Sequence, residues 1–219
     1  MNETVEWYLS KSVGLSLTRS DADQILEWTL SQEPSVSPPH ALKGISLIHC
    51  MRKRGYDTLV ETGTHLGAMP DIVSRFGYRV YTIELSLPLY ERARDRFANN
   101  ELVTCIHGDS GVVLPEVVAK LTRPALFWLD GHICGGLTAR SDLETPILAE
   151  VDWLRRIRGE RPEFIDGCSF YIDDVREFGT GEYPKLSEVL ATFETHFPRH
   201  VCQIVHDCLR VVPAAPAGQ

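Results

Sequence analysis

A mostly parallel α/β sheet, doubly wound and finished by an antiparallel hairpin, is the fold this sequence predicts. Three observations carry that reading. Short apolar, β-rich runs recur at residues 58–60, 79–83, 102–106, 125–129 and 170–172. Stretches with helical apolar spacing lie between most of them, at 69–76, 88–98, 111–121 and 145–158. Strands alternating with helices of this length make βαβ units, whose parallel strands are covered on both faces and read as continuous hydrophobic runs. The last segment, 201–212, predicts two short antiparallel strands with a turn near Asp207 and Cys208.

Two helices precede the first strand. Residues 21–30 (DADQILEWTL) read as a short helix with Asp21 as its N-cap. The stretch 31–39 (SQEPSVSPP) holds three prolines and three serines in nine residues, which marks a loop. Residues 40–54 regain helical spacing and end in a basic turn before Gly55, placing cations at the negative end of the helix dipole. The chain therefore divides into a helical extension (1–54), a main domain (55–212) and a tail expected to be disordered (213–219, PAAPAGQ).

With 219 residues, 43% of them hydrophobic and 24% charged, the chain suits one globular domain with an ordinary core. Its 30 acidic residues outnumber 22 basic ones, and a net charge of −8 argues against the basic face that a long nucleic-acid footprint needs. No apolar run approaches the roughly 20 residues of a membrane helix, and MNETVEWYLSKS lacks the apolar core of a secretory signal. The expected setting is the cytoplasm, with neither nucleic acid nor membrane as partner. The six cysteines form no Cys-x-x-Cys pair, so most are expected to be buried thiols rather than zinc ligands or disulfides.

In doubly wound sheets ligands sit beyond the carboxyl ends of the strands. The first strand runs into ETGTHLG, with three residues separating Gly63 from Gly67. Glycines there let the backbone turn tightly and approach a ligand before the next helix begins. The spacing is Glu-x-Gly-x-x-x-Gly rather than the Gly-x-Gly-x-x-Gly of NAD proteins, which weakens a nicotinamide reading. The second strand ends in YTIELS, where Glu84, about 20 residues past the glycine loop, is placed to accept hydrogen bonds from ribose hydroxyls. The third leads to HGDS (107–110) and the fourth to LFWLDGH (126–132).

In that order the four segments resemble the class I S-adenosylmethionine-dependent methyltransferases, over about residues 57–174. The resemblance implies a Rossmann-like methyltransferase sheet and S-adenosylmethionine as cofactor. Glu61, Gly63 and Gly67 would then hold its methionine end, with Thr64 and Asp130 also among the cofactor-binding residues. Glu84 would bind the ribose, and Asp109 with the Ser110 amide would read the adenine. The Asn/Asp-Pro-Pro-Tyr/Phe signature of nucleic-acid amino-methyltransferases is missing, with Asp-Gly-His in its place.

The chemistry is sharpened by Asp130-x-His132 at one strand end and Asp173-Asp174 at another. Successive strand residues point opposite ways, so Asp173 and Asp174 face one site only if the chain turns out of the strand there. Three converging carboxylates repel unless a cation sits among them, and oxygen-only ligation favours Mg²⁺, with Ca²⁺ or Mn²⁺ as substitutes. The arrangement is similar to the metal-dependent sugar O-methyltransferases of the macrocin type. That likeness implies Asp130, Asp173 and Asp174 as metal ligands and His132 as general base, acting on the hydroxyl of a small molecule or sugar. A metal-independent methyltransferase and a non-catalytic binding protein of the same fold stand as alternatives.

Other residues have plainer readings. The loop 135–145 is either a lid or a solvated connection. His65 serves the ligand or the backbone turn, and His49, His196, His200 and His206 read as ordinary groups. Arg155, Arg156, Arg158 and Arg161 read as a solvated helix end, open to an anionic substrate. Trp128 is expected in the sheet's packing. Trp7, Tyr8 and Trp28 leave open a lid, a homodimer contact or a satellite core.

Overall fold

The structure is a computed structural model that describes residues 18–31, 33, 35–130, 147–181 and 183–215. His132, Cys134, Trp7, Tyr8 and the 135–145 loop lie outside the described residues. Helices α1 (Arg19–Ser31) and α2 (His40–Arg54) come first. Then follow β1 (Thr58–Thr62), α3 (Ala68–Ser74), β2 (Arg79–Glu84), α4 (Leu87–Arg96), β3 (Val103–His107), α5 (Ser110–Ala119) and β4 (Leu126–Leu129). Helices α6 (Ile147–Glu160) and α7 (Pro162–Asp166) lead to β5 (Ser169–Ile172), a 3₁₀ turn (Val175–Glu177), α8 (Leu186–His196), β6 (His200–Val205) and β7 (Cys208–Pro213).

The seven strands lie in the order β3-β2-β1-β4-β5-β7-β6. Pairings from β3 to β5 are parallel, and β7 joins β5 and β6 antiparallel. Because the chain leaves β3 at one edge and returns to β4 beside β1, strand order reverses between β1 and β4, where such sheets open a ligand crevice.

Side-chain alternation divides the core in two. Val60, Phe127, Leu129, Phe170 and Ile172 pack with residues of α5, α6 and α8. Leu59, Leu126, Trp128 and Tyr171 pack on the other face against Leu47 and Met51 of α2 and Met69 and Val73 of α3. Trp128 is fully buried, as expected. No helix among the described residues is long and apolar enough to cross a membrane.

Several local expectations are corrected. Asp21 is the third residue of α1, and the cap is Thr18. The Thr18 hydroxyl accepts from the Asp21 amide at 3.2 Å while the Asp21 carboxylate accepts from the Thr18 amide at 2.9 Å, a reciprocal capping box. Helices α7 and α8 were not expected. Strand β7 continues through Pro213, and the Ala214 amide donates to the Arg199 carbonyl at 2.7 Å, so order reaches into the segment read as tail.

The four arginines also divide. Arg155 and Arg156 pair with Asp152 at the surface. Arg158 instead grips the buried Asp166 carboxylate, with Nε 2.7 Å from Oδ1. Arg161 donates to the carbonyls of Val118 and Leu121, both at 2.9 Å, and so closes the C-terminal end of α5.

Glu150 ties the segment after β4 to the sheet. It lies in the first turn of α6, is fully buried, and accepts a 2.5 Å hydrogen bond from Ser110 Oγ at the start of α5. Its second oxygen is buried without a hydrogen-bond partner. Burial pushes this carboxyl up to about 7, against hydrogen bonds from Ser110 and Thr62 that favour the charged form. A carboxyl raised in the folded state binds more protons there than in the unfolded chain, so stability falls as pH climbs from the unfolded value towards 7. Glu150→Gln removes the cost of the charge and keeps an acceptor for Ser110. The variant is expected to gain on the order of 2 kcal/mol at pH 8 relative to pH 5, read from thermal or denaturant unfolding at both pH values.

Candidate active site

The β1 loop is built for close backbone approach. Gly63 and Gly67 both take left-handed conformations, with φ of 82° and 75°. A side chain at Gly67 would in addition meet the Phe97 ring at 2.8 Å, so the position excludes even alanine. The amides of Gly63 and Thr64 donate to the Ile83 carbonyl, at 2.9 and 3.2 Å, which holds the loop against the end of β2.

Glu84 completes that hold. One carboxylate oxygen accepts from the His65 amide at 2.8 Å and the other from the Ser86 amide at 2.9 Å. Each oxygen retains a further acceptor direction for an incoming hydroxyl. At the next strand end, Asp109 caps α5 by accepting from the Gly111 amide at 2.8 Å, and the Ser110 hydroxyl is spent on Glu150.

Glu61 is 2% exposed and faces a relay of hydroxyls. Thr82 Oγ1 donates to its carboxylate and in turn contacts Thr64 Oγ1 at 2.6 Å. Since Thr82 has one hydroxyl proton, Thr64 is the donor in the second bond. Burial lifts the Glu61 carboxyl well above the usual range despite the Thr82 bond, and the charges of Asp130 and Glu84 add to the lift. Among the described residues it has no cation partner.

A cavity of about 670 Å³ opens over this region. Glu61, Gly63, Thr64 and Asp130 line it on the sheet side, His40 and Ile45 on α2, and Ile72 and Phe76 around α3. Gly67, Glu84, Asp109 and Ser110 do not line it. The methionine-end candidates, Gly67 excepted, thus share one cavity, while the ribose and adenine candidates stand beyond it along the same sheet edge.

The third feature is the acidic trio. The β-ladder continues one residue past the strands: the Asp130 amide donates to the Thr62 carbonyl at 3.2 Å and the Asp173 amide to the Leu129 carbonyl at 3.1 Å. Asp130 and Asp173 therefore sit level on adjacent strands. Asp174 then adopts φ 56°, turning the chain into the 3₁₀ helix, so the condition for both aspartates to face one site is met. Ligand oxygens of Asp130, Asp173 and Asp174 lie within 4.8 Å of one another.

Two cations attend the trio, and neither was expected from the sequence. Lys43 of α2, 8% exposed, bonds Asp173 Oδ2 and lies 3.6 Å from Asp174 Oδ1, with its ammonium 6.0 Å from the centre of the Trp128 ring. Burial works against the lysine charge, but Asp173, backed by Asp174 and Asp130, outweighs it and keeps the ammonium charged. Arg176 Nη1 bonds Asp174 Oδ1 at 2.7 Å and also Asp207, whose backbone φ of 59° follows His206 at 51° in a two-residue hairpin turn. Burial and Asp130 lift the Asp173 carboxyl above its usual range in spite of Lys43.

No protein-family model matches the sequence. A curated protein, ribosomal RNA small subunit methyltransferase A of Acidobacterium capsulatum, is 35% identical over 79 residues, which is 36% of this chain. The chain spans 27% of that relative's length. Among solved structures, the S-adenosylhomocysteine-bound methyltransferase PaMTH1 of Podospora anserina superposes with a TM-score of 0.54 at 17% identity, covering 98% of this chain and 97% of that one. The S-adenosylhomocysteine complex of an O-methyltransferase from Bacillus cereus gives 0.53 at 18% identity, covering 95% and 97%. TomG from Streptomyces achromogenes, an O-methyltransferase of tomaymycin synthesis in complex with S-adenosylmethionine, gives 0.52 at 17% identity, covering 98% and 100%. Likeness over nearly whole chains at such identities is likeness of fold: this chain has the Rossmann-like methyltransferase fold.

Proposed function

We propose that this protein is an S-adenosylmethionine-dependent O-methyltransferase acting on the hydroxyl of a small molecule or sugar. The carrying observation is Glu61, a buried carboxyl with no cation partner among the described residues, lining a cavity beside the glycine loop. The ammonium of the cofactor's methionine end is the charge that position lacks. The names of the solved relatives, which hold S-adenosylmethionine or its product and include O-methyltransferases, support the reading. The curated relative is named for ribosomal RNA. A net charge of −8 and the missing Asn/Asp-Pro-Pro-Tyr/Phe signature favour a small acceptor for this chain.

In this reading Glu61 takes the cofactor ammonium, while Gly63 and Gly67 let the backbone close on the methionine end. Glu84 fixes the loop through two amides and accepts from the ribose, and Asp109 with the Ser110 amide meets the adenine. S-adenosylmethionine, when bound, would supply an electrophilic methyl group to the acceptor oxygen, the carbon–sulfur pair going back to sulfur. The acceptor's proton goes to an imidazole nitrogen of His132, whose ordinary pKa near 6.5 suits a base at neutral pH. Orientation supplies much of the rest.

The trio fits a divalent cation in its donor chemistry. It offers only oxygens, and Asp173 Oδ1 is buried with no hydrogen-bond partner. Asp130, Asp173 and Asp174 would hold the ion, which when bound would lower the pKa of an acceptor hydroxyl. A metal-independent enzyme is the second reading, favoured by the Lys43 ammonium already placed among these carboxylates.

Three outcomes are expected. Because Glu61 is raised in the free protein and ionised against an ammonium, S-adenosylhomocysteine binding should release protons and tighten as pH rises through the raised range of the free carboxyl. Calorimetry in buffers of different ionisation enthalpy checks this, and the release should vanish in Glu61→Gln. Glu84→Gln turns one of two acceptors into a donor facing an amide, and should weaken that binding at least tenfold in the same titration. His132→Ala should keep the affinity within about twofold while methyl transfer to hydroxyl acceptors is lost; normal turnover would remove the base assignment.

A further inference from the structure

We propose that Lys43 is an exchangeable counter-ion that competes with a divalent cation for the Asp130–Asp173–Asp174 trio. The inference rests on the reading of the trio as a cation site and is independent of methyl transfer. The ammonium bonds Asp173 Oδ2 and stands 3.6 Å from Asp174 Oδ1, so it contacts two of the three carboxylates whose oxygens lie within 4.8 Å of one another. A second positive charge of two units brought to the same oxygens meets Lys43 at contact range, in a site shielded from solvent, where like charges repel strongly. The other Asp173 oxygen is buried and unpartnered, so the trio still has an acceptor that the lysine does not use.

Beside Lys43 lies a space of only about 10 Å³, lined also by Ser46, Trp128, Cys208 and Arg210. Ser46 Oγ, one turn along α2 from the lysine, is buried there without a hydrogen-bond partner and is able to accept from an ammonium. Lys43 thus offsets part of the trio's charge when no metal ion is present and yields its oxygen when one arrives. The cost is a weakened affinity for that ion.

The test measures Mn²⁺ binding to the wild-type chain and to Lys43→Met and Lys43→Arg by calorimetry or electron paramagnetic resonance. Lys43→Met should bind at least tenfold more tightly than wild type, Lys43→Arg no more tightly, and adding Asp173→Asn to Lys43→Met should abolish the gain. Equal or weaker binding by Lys43→Met overturns the proposal, as does the absence of binding by both. Should Lys43→Met fail to fold, amine labelling of the wild-type protein decides instead. Lys43 should react faster with saturating Mg²⁺ than without it, and an unchanged or slower rate overturns the proposal. S-adenosylhomocysteine affinity measured on the same samples tests the cofactor reading separately.

Discussion

Carboxyl groups crowded at one edge of a sheet, with few cations to answer them, are the constraint on which the rest of this structure turns. Glu61, Glu84, Glu150, Asp173 and Asp174 are buried, Asp130 is half-buried, and Lys43 is the one buried cation among the described residues. An isolated buried carboxylate costs several kcal/mol, so each group must neutralise, find donors or acquire a positive charge. The groups take different routes. Glu84 takes two backbone amides, Asp173 and Asp174 take Lys43 and Arg176, and Glu150 takes the Ser110 hydroxyl. Among the described residues Glu61 has only Thr82, which leaves it a strong demand for a cation in the cavity.

Sheet register creates the crowding. Parallel pairing of Thr62 with Leu129, and of Leu129 with Ile172, sets the ends of β1, β4 and β5 level, so the residues that follow emerge side by side. Core packing fixes that register, because a one-residue slip would exchange the two faces that Phe127 and Trp128 fill. The left-handed Asp174 adds the last carboxylate. Its position is secured by Arg176 and by the β6–β7 turn, where the Val175 amide donates to the Asp207 carbonyl at 2.9 Å. The hairpin at the edge of the sheet therefore helps to shape a site at the ends of the strands beside it.

Much of this was legible in the sequence. Parallel strands covered on both faces leave unbroken apolar runs, and all five β1 residues are buried accordingly. The glycines of ETGTHLG and the acids after β2, β4 and β5 were legible because each sits where an apolar run stops. What escaped was charge facing inward from helices. Lys43 precedes Leu47 by one turn, and Glu150 follows Ile147 and precedes Leu154 on the apolar stripe of α6, so spacing carried a signal that the charged letters masked. The stripe Leu186, Val189, Leu190 and Phe193 likewise announces α8. By contrast, the five residues of α7 are too few to show a period, and Arg158 and Arg161 look solvated until Asp166 and the end of α5 are in place.

The central claim is that this sheet edge is an electrostatic receptor whose missing cation at Glu61 is the cofactor's ammonium. A crystal structure of the protein grown with S-adenosylhomocysteine tests it most directly. The account predicts the ligand's amine within hydrogen-bonding distance of the Glu61 carboxylate and its ribose hydroxyls on Glu84. A ligand bound with its amine elsewhere and Glu61 still facing only Thr82 would contradict it.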